Sequence, residues 1–192
     1  MGAMQQMMLG AGARKYATWD PGAAGSGLSV ISANLVLFQN DSNLWNNARS
    51  TIGKSSGKWY WEYTFSSSPS YVMAGISNGS SALGPGASSY PGSDSNAWSY
   101  YAFDGNKRTN AVSTAYGVTW TSETIGVALD MDSGTVTMYV NNASQGTMYS
   151  GLTGTIYAFA GLYLLSASVG VNFGASPFTY TPPTGFNSGL YE

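Results

Sequence analysis

The chain has 192 residues, enough for one domain to bury well over half of its unfolded surface without a disulfide or a metal. It contains no cysteine and no histidine, which removes thiolate metal sites, disulfide scaffolds, the commonest general base and the commonest metal ligand. Only 8% of residues are charged and the net charge is -2, so neither nucleic acid nor an anionic membrane is an expected partner.

Residues 1–13, "MGAMQQMMLGAGA", differ from the rest of the chain. Met1, Met4, Met7, Met8 and Leu9 are large apolar residues, and Met1, Met4 and Met8 are spaced to share one side of a short helix. The segment reads either as an unstructured start or as a methionine-rich plug that docks into a partner, with Met4, Met7, Met8 and Leu9 as the anchor. Arg14 and Lys15 come after the apolar stretch instead of preceding it, so a secretory signal is not expected. No run of eighteen apolar residues predicts a membrane-spanning helix.

From Tyr16 onward the pattern is strand and turn. "SGLSVISANLVLFQN" predicts a hairpin turning near Ser32-Ala33-Asn34. "GKWYWEYTF" (57–65) predicts a strand with Trp59, Trp61, Tyr63 and Phe65 on one face and Tyr60, Glu62 and Thr64 on the other. Four large aromatics on one face predict the wall of a core. "SYVMAGISNG" predicts another strand, ended by Asn78-Gly79. Residues 80–96, rich in Gly, Pro and Ser, predict a long loop, and "AWSYYAFDGNKRTN" resumes strand with a turn at Asp104-Gly105. "ETIGVALDMDSGTVTMYVNN" predicts the clearest hairpin, turning at "DMDSG". "YAFAGLYLL" and "ASVGVNFG" predict two more strands, and "PFTYTPPTGF" an extended tail. The expectation is an all-β, antiparallel sandwich over residues 14–192 with an N-terminal arm over 1–13.

Three of these blocks carry a family resemblance. "GKWYWEYTF" resembles the strand that opens SPRY domains. "ETIGVALDMDSGTVTMYVNN" resembles the central SPRY signature, with Ser122-Glu123 where Gly-Asp is frequent and Asn142 in place of a final glycine. "VGVNFGASPFTYTPPTGF" resembles the SPRY ending. The resemblance implies a bent β-sandwich of the concanavalin-like, lectin-like kind, binding through surface loops, usually to a protein or peptide, and no catalysis. A looser resemblance links the methionine-rich start and "YATWDP" to structural proteins of tailed phages. It implies a virion component whose arm meets another virion protein or a second copy, and whose loops meet a host protein or glycan.

Candidate chemistry is sparse. Glu62 has no carboxylate at an adjacent same-face position, as a glycoside hydrolase would require. Asp130 and Asp132 have i, i+2 spacing, but "DMDSG" is turn chemistry first, and a calcium loop would need further oxygen ligands. A serine nucleophile has no histidine base. No catalytic residue, cofactor or metal ligand is expected. The binding expectation falls on the exit of the long loop: Tyr90, Trp98, Tyr100, Tyr101 and Asp104, with Asp94 and Asn96, could stack on and hydrogen-bond a peptide or sugar, or else Trp98 and Tyr100 face inward. Three functions are expected, in order: an arm-anchored virion module, a free peptide- or glycan-binding adaptor, and a lectin-like glycosidase.

Overall fold

A computed structural model describes residues 14–41, 43–66 and 71–192; the anchor residues Met4, Met7, Met8 and Leu9 lie outside them. Among the described residues there are fifteen strands and no helix: β1 (Trp19–Ala24), β2 (Leu28–Ile31), β3 (Val36–Gln39), β4 (Asn46–Lys54), β5 (Lys58–Ser66), β6 (Val72–Ser77), β7 (Ala97–Tyr101), β8 (Asn106–Thr109), β9 (Val112–Ala115), β10 (Thr124–Asp130), β11 (Thr135–Val140), β12 (Ala143–Ser150), β13 (Ile156–Leu162), β14 (Ser168–Asn172) and β15 (Asn187–Ser188). They build two sheets that pack as a sandwich. One has the order β1-β4-β13-β6-β7-β8-β9, the other β12-β11-β10-β5-β14-β3-β2, with β15 running parallel beside β5.

The alternation in β5 decides which side faces the interior. Trp61, Tyr63 and Phe65 are buried in the main core, and Trp59 packs half-buried at its margin. β10 brings Val127 opposite Trp61 and Ile125 opposite Tyr63, so the apolar parities of the two strands coincide. β11 continues the layer with Val136, Met138 and Val140. The facing sheet supplies small residues where these are large: Ala48, Ala74, Ala158 and Ala160 are all buried in the same cluster. Large-against-small pairing lets the layers interdigitate at interior density. Trp19 stacks on Tyr63 at 5.9 Å. The Tyr63 hydroxyl crosses the interior, donating to the Gly75 carbonyl and accepting from the Phe159 amide, each at 3.1 Å. Full burial holds that hydroxyl in its neutral form far above the usual tyrosine range.

The turns explain the family departure at residue 142. Asn141 and Asn142 have φ of 45° and 68°, the left-handed pair of a two-residue hairpin turn between β11 and β12. Asparagine tolerates this conformation better than other non-glycine residues, so the missing glycine does not break the hairpin. The second left-handed pair, Asn110 and Ala111 at 51° and 59°, closes β8 on β9.

Two expectations need amendment. β4 was not visible in the sequence because its first residues are polar: Asn46 and Asn47 are fully buried, and their amides anchor the start of the strand while Ala48 and Ile52 join the core. Asn47 Nδ2 donates to the carbonyls of Ala82 at 2.8 Å and Ser89 at 2.6 Å. That pair pins the 80–96 loop, which is therefore a cover and not merely a long connection. Asp94 ties it internally, accepting from Ser81 Oγ at 3.2 Å and from the amides of Ala82 at 3.1 Å and Asn96 at 2.8 Å.

Candidate binding surface

The expected cluster is divided by strand parity. Trp98 and Tyr100 are two apart on β7 and share the inward face: Tyr100 is fully buried and Trp98 packs half-buried on the main core. The Tyr100 hydroxyl donates to the Val118 carbonyl and is held neutral well above its ordinary range by burial. These two residues are core, the inward alternative. Tyr101, one step on, points to the outer face of the seven-stranded sheet, where Tyr90 and Asp104 join it.

A separate aromatic cluster occupies that outer face. Trp45, Met73 and Tyr101 are buried there, with Tyr90 and Tyr163 packed against them. Trp45 is the hub, with ring centroids 5.2 Å from Tyr163, 5.9 Å from Tyr101 and 6.3 Å from Tyr90. Arg108, on β8, lays its guanidinium 4.5 Å from the centre of Tyr101 and 5.5 Å from that of Tyr90. Asp104 fixes the guanidinium with an ion pair at 2.8 Å and accepts from the Asn106 amide at 3.0 Å. Burial raises the Tyr101 hydroxyl to about 12 although Arg108 pulls the other way, so the ring presents a neutral hydroxyl at physiological pH.

Among the described residues the cluster is floored but not roofed. Tyr71 and Phe103 stack on each other at 5.6 Å and 18°, and both are exposed, Phe103 at 56% and Tyr71 at 38%. Their meeting comes from register. β6 pairs with β7 as Met73 opposite Tyr101, and one pleat further the same register sets Tyr71 opposite Phe103. Tyr71 also touches Tyr163 at 5.6 Å, and Phe103 touches Tyr101 at 6.0 Å. Six aromatic rings, buried at one end and open at the other, with one stacked arginine, form a rigid apolar surface. Trp, Tyr and Arg concentrate binding energy at protein interfaces because they bury much area at small entropic cost. Sequence reading missed Tyr71, Phe103, Trp45, Tyr163 and Arg108. The signal was the β6–β7 register, which cannot be counted across an 80–96 loop of unknown path.

The carboxylates are otherwise engaged. Glu62 is buried on the outer face of the eight-stranded sheet beneath residues 177–180. It accepts from the amides of Thr179 at 2.8 Å and Tyr180 at 2.9 Å and from the Tyr60 hydroxyl at 3.1 Å. Phe178 covers Tyr60 edge-on at 5.1 Å. Burial, then the Glu62 charge, push the Tyr60 hydroxyl far above its usual range, so it stays a donor. Asp130 pairs with Lys58 at 3.0 Å and accepts from the amides of Asp132 at 3.0 Å and Ser133 at 3.1 Å. Desolvation pushes its carboxyl up, but the Lys58 and amide contacts outweigh it and hold it below the usual range. Asp132 accepts from the Gly57 amide at 2.7 Å. The pair braces the β10–β11 turn against β5, as turn chemistry predicts. No cluster of three potential metal-ligating side chains occurs among the described residues, nor does any helix there suit a membrane span.

Comparison with known proteins agrees with the architecture. The SPRY domain profile matches residues 58–176, more than half of the chain. The human HERC1 SPRY domain superposes with a TM-score of 0.65 at 17% identity, over 80% of this chain and 96% of that one. The TRIM65 PSpry domain gives 0.64 at 19% identity, over 82% and 92%. Stonustoxin gives 0.67 at 22% identity over 82% of this chain, which spans only 27% of the toxin chain.

Proposed function

The chain belongs to the SPRY-domain family, whose members are typically protein-binding modules, and we propose that it binds a protein segment on the Tyr71–Phe103 aromatic surface as a non-catalytic structural component of a tailed-phage virion. The observation that carries the binding reading is the exposed stack of Tyr71 on Phe103, uncovered among the described residues, above a buried aromatic floor. Elsewhere this protein covers its aromatics: Phe178 lies over Tyr60, and Tyr90 of the 80–96 loop packs on Trp45. Two rings left open on a rigid base suit an apolar or proline-bearing side chain, and the Arg108–Asp104 pair beside Tyr101 supplies polar register.

Support for the virion reading comes from the sequence: few charges, no cysteine, and the apolar start with its resemblance to phage structural proteins. Residues 1–13 would anchor the domain to another virion protein or a second copy, and the aromatic surface would face outward. A free adaptor has no use for such an arm, so the arm separates the two readings. Selection from a random peptide library on the immobilised full chain tests the binding surface. Selected peptides should share apolar or aromatic side chains and lose affinity for Phe103→Ala. Peptides that bind Phe103→Ala as well as the parent would move the site elsewhere.

A further inference from the structure

A groove of about 510 Å³ lies on the other side of the molecule, between Tyr16 and the 174–182 segment. We propose that it is a binding site for a carboxylated sugar, a uronic or sialic acid unit at the end of a glycan. The site is independent of the aromatic surface and of whatever binds there.

The lining sets the ligand's charge. Arg14 is its one cation, and no Asp or Glu lines it. The guanidinium stacks on Tyr191 at 4.4 Å, and no carboxylate among the described residues lies within ion-pair distance of it. An arginine held by stacking keeps its planar donor edge available, a fit for a carboxylate. The nearest buried carboxylate, Glu62, is turned under the segment and has both oxygens occupied.

The rest of the lining sets the ligand's body. A bare anion would not need this volume, and nothing else in the groove is charged positively as a phosphate site would favour. Tyr16 and Tyr180 offer half-buried ring faces, and Ser176, Thr179, Thr181 and Ser188 offer hydroxyls. The amides of Phe178 and Thr181 and the carbonyls of Thr179 and Tyr180 make no hydrogen bond among the described residues. Aromatic faces with a surplus of short donors and acceptors suit the mixed apolar and hydroxyl faces of a sugar ring.

The groove is also built to stay open. Glu62 clamps the segment through two amides, and Asn172 Nδ2 holds the carbonyls of Ser176 at 3.2 Å and Pro177 at 2.9 Å. Gly174, at φ 100°, lets the backbone pass so close to Tyr16 that an added Cβ would stand 3.0 Å from its ring. A preformed site binds without first ordering itself.

The test is amide chemical-shift perturbation of the full chain, titrated separately with N-acetylneuraminic acid, glucuronic acid, glucose and acetate. One or both acidic sugars should shift residues 174–182 at millimolar concentration, with glucose at least about tenfold weaker, since loss of a charge-assisted hydrogen bond is worth that much, and acetate weaker because it makes no contact with the ring faces and hydroxyls of the lining. Arg14→Gln should weaken the acidic sugar at least about tenfold by the same reasoning. Tyr180→Ala should weaken it too while leaving the Glu62 clamp, which uses the backbone amide, and the melting temperature in place. Phe103→Ala should leave the titration unchanged. Glucose binding as well as the acidic sugars, acetate binding as well as either, shifts outside the groove, or no shift with any sugar would each overturn the proposal.

Discussion

The outer faces of the two sheets carry the same kind of material and use it differently. On the eight-stranded sheet, Tyr60 and Glu62 are covered by the chain's own C-terminal segment, and every oxygen of the carboxylate is satisfied. On the seven-stranded sheet, Trp45 and Tyr101 are covered by the 80–96 loop, but among the described residues the cover stops short of Tyr71 and Phe103. Residue type alone does not separate structure from function here, since a buried carboxylate on one outer sheet face serves the fold while two plain aromatics on the other are offered to solvent. What separates them is whether the chain has supplied a partner.

The largest expected effect lies beneath both faces. Trp61 is fully buried, and Trp61→Ala should cost about 3–5 kcal/mol, as other large aromatic-to-alanine changes do. Denaturant unfolding measures it, and a near-unchanged midpoint would mean that the aromatic stripe is not the core. Glu62→Ala comes next. It leaves two amides and the Tyr60 hydroxyl without an acceptor, at about 1–3 kcal/mol by the usual penalty for orphaned buried groups. Enhanced hydrogen exchange of Thr179 and Tyr180 should accompany the loss. Glu62→Gln should change stability and no hydrolytic rate; a polysaccharide cleaved by the parent and not by Glu62→Gln would restore the glycosidase reading.

The pH profile sharpens the contrast across the whole molecule. There is no histidine to titrate near neutrality. Tyr60, Tyr63, Tyr100, Tyr101, Tyr116 and Tyr149 all have raised hydroxyl pKa values, chiefly through burial. A raised folded-state pKa contributes stability that is complete below the unfolded value near 10 and is lost as pH rises towards the folded value. The melting temperature should therefore be nearly flat through neutrality and fall above about pH 10. Absorbance titration of phenolate should show these six hydroxyls ionising above the ordinary tyrosine value; ionisation at the ordinary value in the folded protein would contradict their burial.

Deletion of residues 1–13 should alter stability least. The two sheets close among residues 14–192: Tyr16 pairs with Tyr191, and the Ala17 amide donates to the Leu190 carbonyl at 2.8 Å. An unchanged melting temperature with loss of particle incorporation or self-association would support an anchoring arm; an unfolded truncate would make the arm part of the core.

Much of the fold was legible because β11 and β14 alternate in burial and β5 and β10 set their large core residues at every second position, Trp61, Tyr63 and Phe65 in one and Ile125, Val127 and Leu129 in the other, as a two-layer core demands. β4 and β12 were not legible. The start of β4 is anchored by Asn46 and Asn47, and β12 is an exposed edge, its Met148 carbonyl accepting from Lys107 on the other sheet at 2.7 Å. Of the predicted site, Tyr90, Tyr101 and Asp104 come together outside and Trp98 and Tyr100 turn inside, because odd and even positions of one strand cannot share a face. Tyr71 and Phe103 stayed hidden because their neighbourhood is set by pairing across an intervening loop, and pairing register is a tertiary fact.

The most direct test of the binding surface is the double variant Tyr71→Ala, Phe103→Ala, measured by calorimetry against library-selected peptides alongside its melting curve. Both rings are exposed and rest on Tyr101 and Tyr163, so the double variant should lose only those ring contacts, about 0.5–1.5 kcal/mol each, and stay folded with a modestly lowered melting curve. Truncating central interface aromatics costs about 2 kcal/mol or more, so peptide affinity should fall at least about thirtyfold. An unfolded double variant would make the pair part of the core, and a folded one that binds the peptides at parental affinity would remove the aromatic surface as the site.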